Sequence, residues 1–190
     1  LEAMLSHTIQ SNKEREMAYV RQATHDALTG CKNRRAFDSD VAELLNAQQP
    51  FAMALVDIDN FKSINDTLGH LTGDIVLRNV AREGLQIMQP HHVSVYRYGG
   101  EEFAIIFQAE QMSSALSLLE AWRTAVEKRV WREENLRVTF SGGLGEWHFE
   151  PLEQFVGSVD NALYSAKQQG KNRIVQIGRA SCRERVSSPV

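Results

Sequence analysis

The chain has 190 residues, 43% hydrophobic and 24% charged, with a formal net charge of −3. That is an ordinary globular balance for one domain with a short extension, and it excludes a broadly basic nucleic-acid binder or a polybasic membrane-surface binder. Cys31 and Cys182 match no metal-ligand spacing and read as reduced thiols, and no apolar run approaches a membrane span, so the expectation is a cytoplasmic protein.

The chain starts at Leu1 rather than Met and is read as a fragment. Residues 1–23 lack Gly and Pro and space Leu1, Leu5, Ile9, Met17 and Val20 along one stretch, which predicts a helix. The stripe is sparse for a coiled coil. Two readings stand, a frayed leader or a connector that pairs with a second copy and links an upstream sensor domain; the connector is preferred. Asp26-Ala27-Leu28-Thr29-Gly30 breaks the helix, and a second helix follows over Arg34 to Asn46. Phe51 to Ile58 is a continuous apolar run apart from Asp57, the pattern of a strand buried on both faces. Asp59 to Leu68 reads as a short helix with Asp59 as N-cap, Gly69 to Gly73 as a turn, and Asp74 to Met88 as an amphipathic helix with Ile75, Val76, Leu77, Val80, Leu85 and Met88 facing the core.

Val93 to Tyr98 and Glu102 to Phe107 read as strands joined at Gly99-Gly100, where a primed turn would use glycine's access to positive φ. Met112 to Val130 reads as a helix, Arg137 to Gly142 as a strand with Leu144 to Phe149 as its hairpin partner, Leu152 to Gln169 as a helix ended by Gly170, and Arg173 to Ile177 as a last strand. Gly178 to Val190 is polar, basic and aperiodic, and is read as a disordered tail of artificial origin. The expected organisation is thus a connector helix over 1–23, one domain over 24–177 and the tail over 178–190.

Asp57 stands at the carboxyl end of a buried strand, where α/β sheets place ligands. Burying it alone would be costly, and Asp59 is the better placed cap, so a metal-ligand role is favoured. Glu101 and Glu102 repel each other at the tip of the expected hairpin. Mg²⁺ takes such oxygen ligands, and a site of Asp57, Glu101 and Glu102 would suit phosphate chemistry. Taken alone, Gly-Gly-Glu-Glu is equally compatible with a solvated hairpin tip. His91 and His92 read as a solvated loop.

Gly99-Gly100-Glu101-Glu102-Phe103 resembles the signature of the GGDEF family, the diguanylate cyclases, in its Glu variant. Four further motifs are similar to the family's and occur in its order: Asp26 to Gly30 with Asn33-Arg34-Arg35; Asp57-Ile58-Asp59 with Phe61-Lys62 and Asn65-Asp66; Leu68-Gly69-His70 with Gly73-Asp74; and Ala162-Leu163-Tyr164 with Ala166-Lys167 and Gly170-Lys171-Asn172. The resemblance implies an α/β (α+β) fold, with a mixed, mostly antiparallel central sheet of about five strands plus a small hairpin among helices, in a palm-like nucleotidyl cyclase architecture. It implies Mg²⁺ (or Mn²⁺) held by Asp57, Glu101, Glu102 and the Ile58 carbonyl, with Asp57, Glu101 and Glu102 as the catalytic set.

Asn65 and Asp74 match positions that read guanine. Asp accepts from N1–H and N2–H₂, a donor pattern adenine lacks. Asp74 is also a candidate cap for its own helix. Phe61 and Lys62 match positions beside the triphosphate, Lys167 and Lys171 positions that touch phosphate, and His70 and Arg97 complete the substrate-binding set; Arg97 is also placed to balance the acidic tip. The implied reaction joins two GTP into cyclic di-GMP plus pyrophosphate between two facing copies. The alternatives are a catalytically silent GTP-sensing or dimerising relay of the same fold, and a cyclase with a mononucleotide product. Relatives' Arg-x-x-Asp product-inhibition motif has no counterpart in Pro90-His91-His92-Val93, so no product feedback is expected there.

Overall fold

The computed structural model describes residues 2–178. Apart from Gly178, the expected tail lies outside the described residues. Helix α1 spans Glu2–Thr24 and leaves Ile9, Met17, Tyr19 and Val20 exposed. A turn follows in which Asp26 Oδ2 accepts from the Thr29 N–H at 2.9 Å and its hydroxyl at 2.7 Å. Helix α2, Arg34–Asn46, starts where the Asn33 side chain accepts from the Ala36 N–H at 2.9 Å, an N-cap that satisfies one of the helix's open donors.

Strand β1, Phe51–Ile58, is buried along its whole length. Helices α3 (Phe61–Leu68) and α4 (His70–Met88) follow, then β2 (Ser94–Arg97), β3 (Glu102–Gln108), α5 (Ala115–Lys128), β4 (Phe140–Glu146), α6 (Leu152–Gln168) and β5 (Ile174–Gln176). The five strands lie in the order β2-β3-β1-β4-β5, antiparallel except for β4 with β5. This is the mixed, mostly antiparallel sheet among helices that the sequence leads one to expect.

Alternation along β1 divides the core. Ala52, Ala54, Val56 and Ile58 pack with Val76 and Val80 of α4 and Leu119 and Trp122 of α5. Phe51, Met53 and Leu55 face the other way, toward Phe37 and Val41 of α2 and Phe155, Val159 and Leu163 of α6. Covering both faces explains the unbroken apolar run, since each fully buried large side chain contributes about 1.5–3 kcal/mol.

Three segments differ from expectation. Phe140 to Glu146 is one continuous strand, so Leu144 to Phe149 forms no hairpin with Arg137 to Gly142. Its glycines serve packing: a Cβ on Gly142 would meet Ile174 Cδ1 at 2.7 Å, and one on Gly143 would meet the Leu163 N at 2.6 Å. Helix α4 begins at His70, because Gly69 alone turns the corner, with φ 84° and ψ 161°. Ile75 then falls on the open side, 39% exposed. The segment expected to begin a helix at Met112 is a 3-10 stretch over Ala109–Ser114, and α5 starts only at Ala115. Gln111 draws this stretch toward the preceding loop by donating to the carbonyls of His91 at 3.1 Å and His92 at 3.2 Å.

Cys31 is wholly buried, and burial pushes its thiol up to about 12. A raised thiol stays protonated through neutral pH, and the stability linked to it is lost only as pH rises past its ordinary value of 9.0. Cys31 is therefore expected to resist iodoacetamide at pH 8 in the native chain and to react in denaturant, as read by peptide mass spectrometry.

Candidate active site

The site begins where β1 and β3 end together. Their register sets Asp57 opposite Glu102, and the Ile58 N–H donates to the Glu101 carbonyl at 3.3 Å. The turn back to β2 is closed by the N–H groups of Tyr98 and Gly99, which donate to the Glu102 carbonyl at 2.9 and 3.2 Å. It is not the expected primed turn, for neither Gly99 nor Gly100 has positive φ. Gly99 supplies space instead: a Cβ there would sit 2.8 Å from Glu102 Oε2. The glycine thus lets the Glu102 side chain fold back over the turn.

Asp57 is nearly buried, and Lys167 of α6 donates to its Oδ1 at 2.5 Å. Burial raises the Asp57 carboxyl above its ordinary value; the lysine opposes this, and Glu101 and Asp59 add to it. Glu102 is raised as well, by burial first and then by Asp57, Asp160 and Glu101. Asp57, Glu101 and Glu102 are thus mutually repelling neighbours. Yet among the described residues no group of three or more His, Cys, Asp or Glu is gathered closely enough to hold a metal ion. The donor chemistry nonetheless fits a hard divalent cation. All the oxygens are carboxylate or carbonyl, two of the acids are disfavoured as anions, and an ammonium already sits on Asp57 as a positive charge.

Asp59 does not cap α3. It is buried and accepts from the Thr139 hydroxyl at 2.7 Å, the Ser141 hydroxyl at 2.7 Å and the Asn172 N–H at 3.0 Å, which locks β1 to β4 and to the segment before β5. The residue before α3 is Asn60, left-handed at φ 56° and making no side-chain cap. Phe61 is buried and anchors the first turn, while Lys62 is exposed. Lys171 reaches across from beyond α6, its Nζ donating to Asn60 Oδ1 at 2.5 Å.

Asn65 and Asp74 are both half-buried on the adjoining helices α3 and α4. Gly73 makes the close approach possible, for a Cβ there would overlap Asn65 Oδ1 and lie 3.0 Å from its Cγ. With α4 starting at His70, Asp74 lies in the second turn, so the capping alternative is removed. His70 is exposed at the helix start.

Arg97 is committed elsewhere than to the acidic tip. Its guanidinium holds both Asp26 oxygens, at 3.0 and 3.1 Å, and donates twice to the Gly100 carbonyl, at 3.3 and 3.0 Å. Asp26 is held below its usual range by the Thr29 and Arg97 hydrogen bonds and the Arg97 charge, against an opposing contribution from burial. Sequence reading did not anticipate this clamp, nor the neighbourhood of Asp160 and Glu102. The clamp had a faint signal, an acidic residue opening one motif and an arginine preceding another. Asp160 had none, being one charge on an otherwise solvated helix face.

The family model described as "Diguanylate cyclase, GGDEF domain" matches residues 23–173. The chain is 37% identical over 171 residues to the diguanylate cyclase VdcA of Vibrio cholerae, an alignment covering 87% of this chain and 50% of that protein. Among solved structures, the coiled coil and GGDEF domain of DgcB from Caulobacter crescentus, in complex with c-di-GMP, superposes with a TM-score of 0.78 at 34% identity, covering 93% of this chain and 99% of that one. The active GGEEF domain of a diguanylate cyclase from Vibrio cholerae gives 0.70 at 31% identity, with 79% and 99% covered. The chain spans about half the length of curated relatives it matches. No helix among the described residues is long and apolar enough to cross a membrane.

Proposed function

The chain belongs to the GGDEF family of diguanylate cyclase domains, and from that premise we propose that it joins two GTP molecules into cyclic di-GMP, releasing one pyrophosphate at each of two steps. The observation that carries this is the register of β1 and β3, which opposes Asp57 and Glu102 beside Glu101 at the open end of the sheet. Asp57, Glu101, Glu102 and the Ile58 carbonyl would hold Mg²⁺ or Mn²⁺. When bound, such an ion neutralises phosphate charge and polarises the reacting phosphoryl oxygens.

The chain's own groups do the positioning. Helix α3 has no side-chain cap, so its first N–H groups, from Phe61 and Lys62 onward, are open to phosphate oxygens. Lys167, now on Asp57, and Lys171, now on Asn60, stand on the same side and supply charge to the triphosphate. Asn65, packed against Gly73, and Asp74 on α4 read the guanine edge, and His70 at the start of α4 completes the substrate-binding set. Arg97 acts on substrate through the turn it clamps. Each domain holds one GTP with its 3′-hydroxyl facing the α-phosphate of the other, so the working unit is a pair of chains. Helix α1 would carry the input from an upstream sensor.

The test is incubation with GTP and Mg²⁺, with the product identified by mass. Cyclic di-GMP is expected, and ATP in place of GTP should give none. Tight GTP binding without product would replace the enzyme reading by a silent nucleotide-sensing one.

A further inference from the structure

The segment between α6 and β5 is held in an unfavourable backbone conformation by residues outside the nucleotide site. Lys171 and Asn172 are consecutive non-glycine residues with positive φ, 65° and 48°. Asparagine tolerates the left-handed region; lysine adopts it only at a steric cost. Lys171 is held on one side by its own N–H, which donates to the Ala166 carbonyl at 3.0 Å, and on the other by its fixed neighbour. The Asn172 N–H is bound to Asp59 at 3.0 Å, and its side chain uses both ends of the amide. Oδ1 accepts from Arg123 Nη1 at 2.8 Å, and Nδ2 donates to Glu127 Oε1 at 2.8 Å. Arg123 Nη1 also reaches Glu127 Oε2 at 2.9 Å, closing a triangle, and Arg123 Nε is braced by Glu120 at 2.8 Å. The Arg123 side chain is only 16% exposed while both glutamates lie at the surface, so the half-buried guanidinium is the anchor of the group.

We propose that Arg123 and Glu127, on α5 outside the nucleotide site, are positioning residues that act through Asn172 to aim Lys171 at the phosphates. The inference rests on the reading of Lys171 as a phosphate contact. The chain of contacts is short: Arg123 and Glu127 fix the Asn172 amide, Asp59 fixes its backbone, and the preceding residue then holds its ammonium against Asn60 at the entrance to α3. Without the triangle, Asn172 keeps only its backbone bond to Asp59, and the lysine that precedes it is held on the α6 side alone, so its ammonium is aimed less firmly at the mouth of the site. GTP affinity is the quantity at stake, since the Lys171 ammonium rests on Asn60 and not on Asp57 or Glu102.

The experiment is a double-mutant cycle of Arg123→Gln and Lys171→Ala in the chain as it stands. The readouts are direct binding of the non-reactive analogue GMPCPP by calorimetry, and the KM and kcat for GTP. Each single variant is expected to weaken binding about tenfold, with the larger kinetic effect on KM, and the double variant to be no worse than Lys171→Ala alone. Glu127→Gln, which keeps an acceptor for the Asn172 amide, should fall between wild type and Arg123→Gln. If Arg123→Gln binds as wild type does, or costs the same factor again when Lys171 is already alanine, the relay is overturned while the site reading survives. If Lys171→Ala itself leaves binding unchanged, the phosphate role of Lys171 falls and the relay falls with it.

Discussion

Glu102→Ala is expected to abolish cyclic di-GMP synthesis, lowering the rate by at least about 10²–10³-fold, while the domain remains folded and becomes no less stable at neutral pH. Glu102 faces Asp57 across the β1–β3 ladder. Its carboxyl is raised first by burial and then by Asp57, Asp160 and Glu101. A carboxyl raised on folding holds its proton more tightly in the folded chain. It therefore subtracts stability once pH rises above the unfolded value near 4.5, and fully so above the folded value. Removing it relieves that repulsion at pH 7, and the advantage over wild type should vanish as pH falls below the ordinary carboxylate range. Product mass and thermal melts at pH 4 and pH 7 check both halves. Synthesis at the parental rate would remove Glu102 from the chemistry.

Gly143→Ala is expected to cost about 3 kcal/mol or more, with a matching fall in the thermal or urea midpoint. A Cβ at this position would run into the Val159 carbonyl and lie 2.6 Å from the Leu163 N and 3.0 Å from the Ala162 Cβ. Two of those atoms are α6 backbone, which cannot rotate aside as a side chain would. The helix must lift off the sheet, taking Lys167 away from Asp57 and separating Phe155, Val159 and Leu163 from their layer. Gly100→Ala is the control. Its φ is not positive and a Cβ there meets nothing within 4 Å, so the melt should scarcely move.

These two glycines mark how far the residues alone could be read. Periodicity and breakers placed α2, β1 and α6 almost to the residue, because burial on one or both sides leaves a direct pattern in the chain. The hairpin expected of Arg137 to Gly142 with Leu144 to Phe149 is instead one strand, for its glycines serve the close approach of a helix and not a turn. Which applies depends on α6, whose position is a tertiary fact. Asp59 misled similarly: it has the chemistry of a cap, but its partners Thr139, Ser141 and Asn172 lie about eighty residues or more along the chain. The members of the site came from motif order; their roles as clamps and spacers came from contacts that no local window contains.

The seam between α1 and the sheet has a mechanical consequence. The Asn33 N–H and side chain grip the Thr24 and Ala23 carbonyls at 2.8 and 2.9 Å. Lys32 is stitched to β2 through Val95 at 3.0 Å and Arg97 at 2.7 Å, and Arg97 in turn grips the Gly100 carbonyl. A series of hydrogen bonds therefore runs from the end of the helix to the glycine turn. A displacement of the helix end would pull first on these bonds, so helix and turn are coupled within one chain.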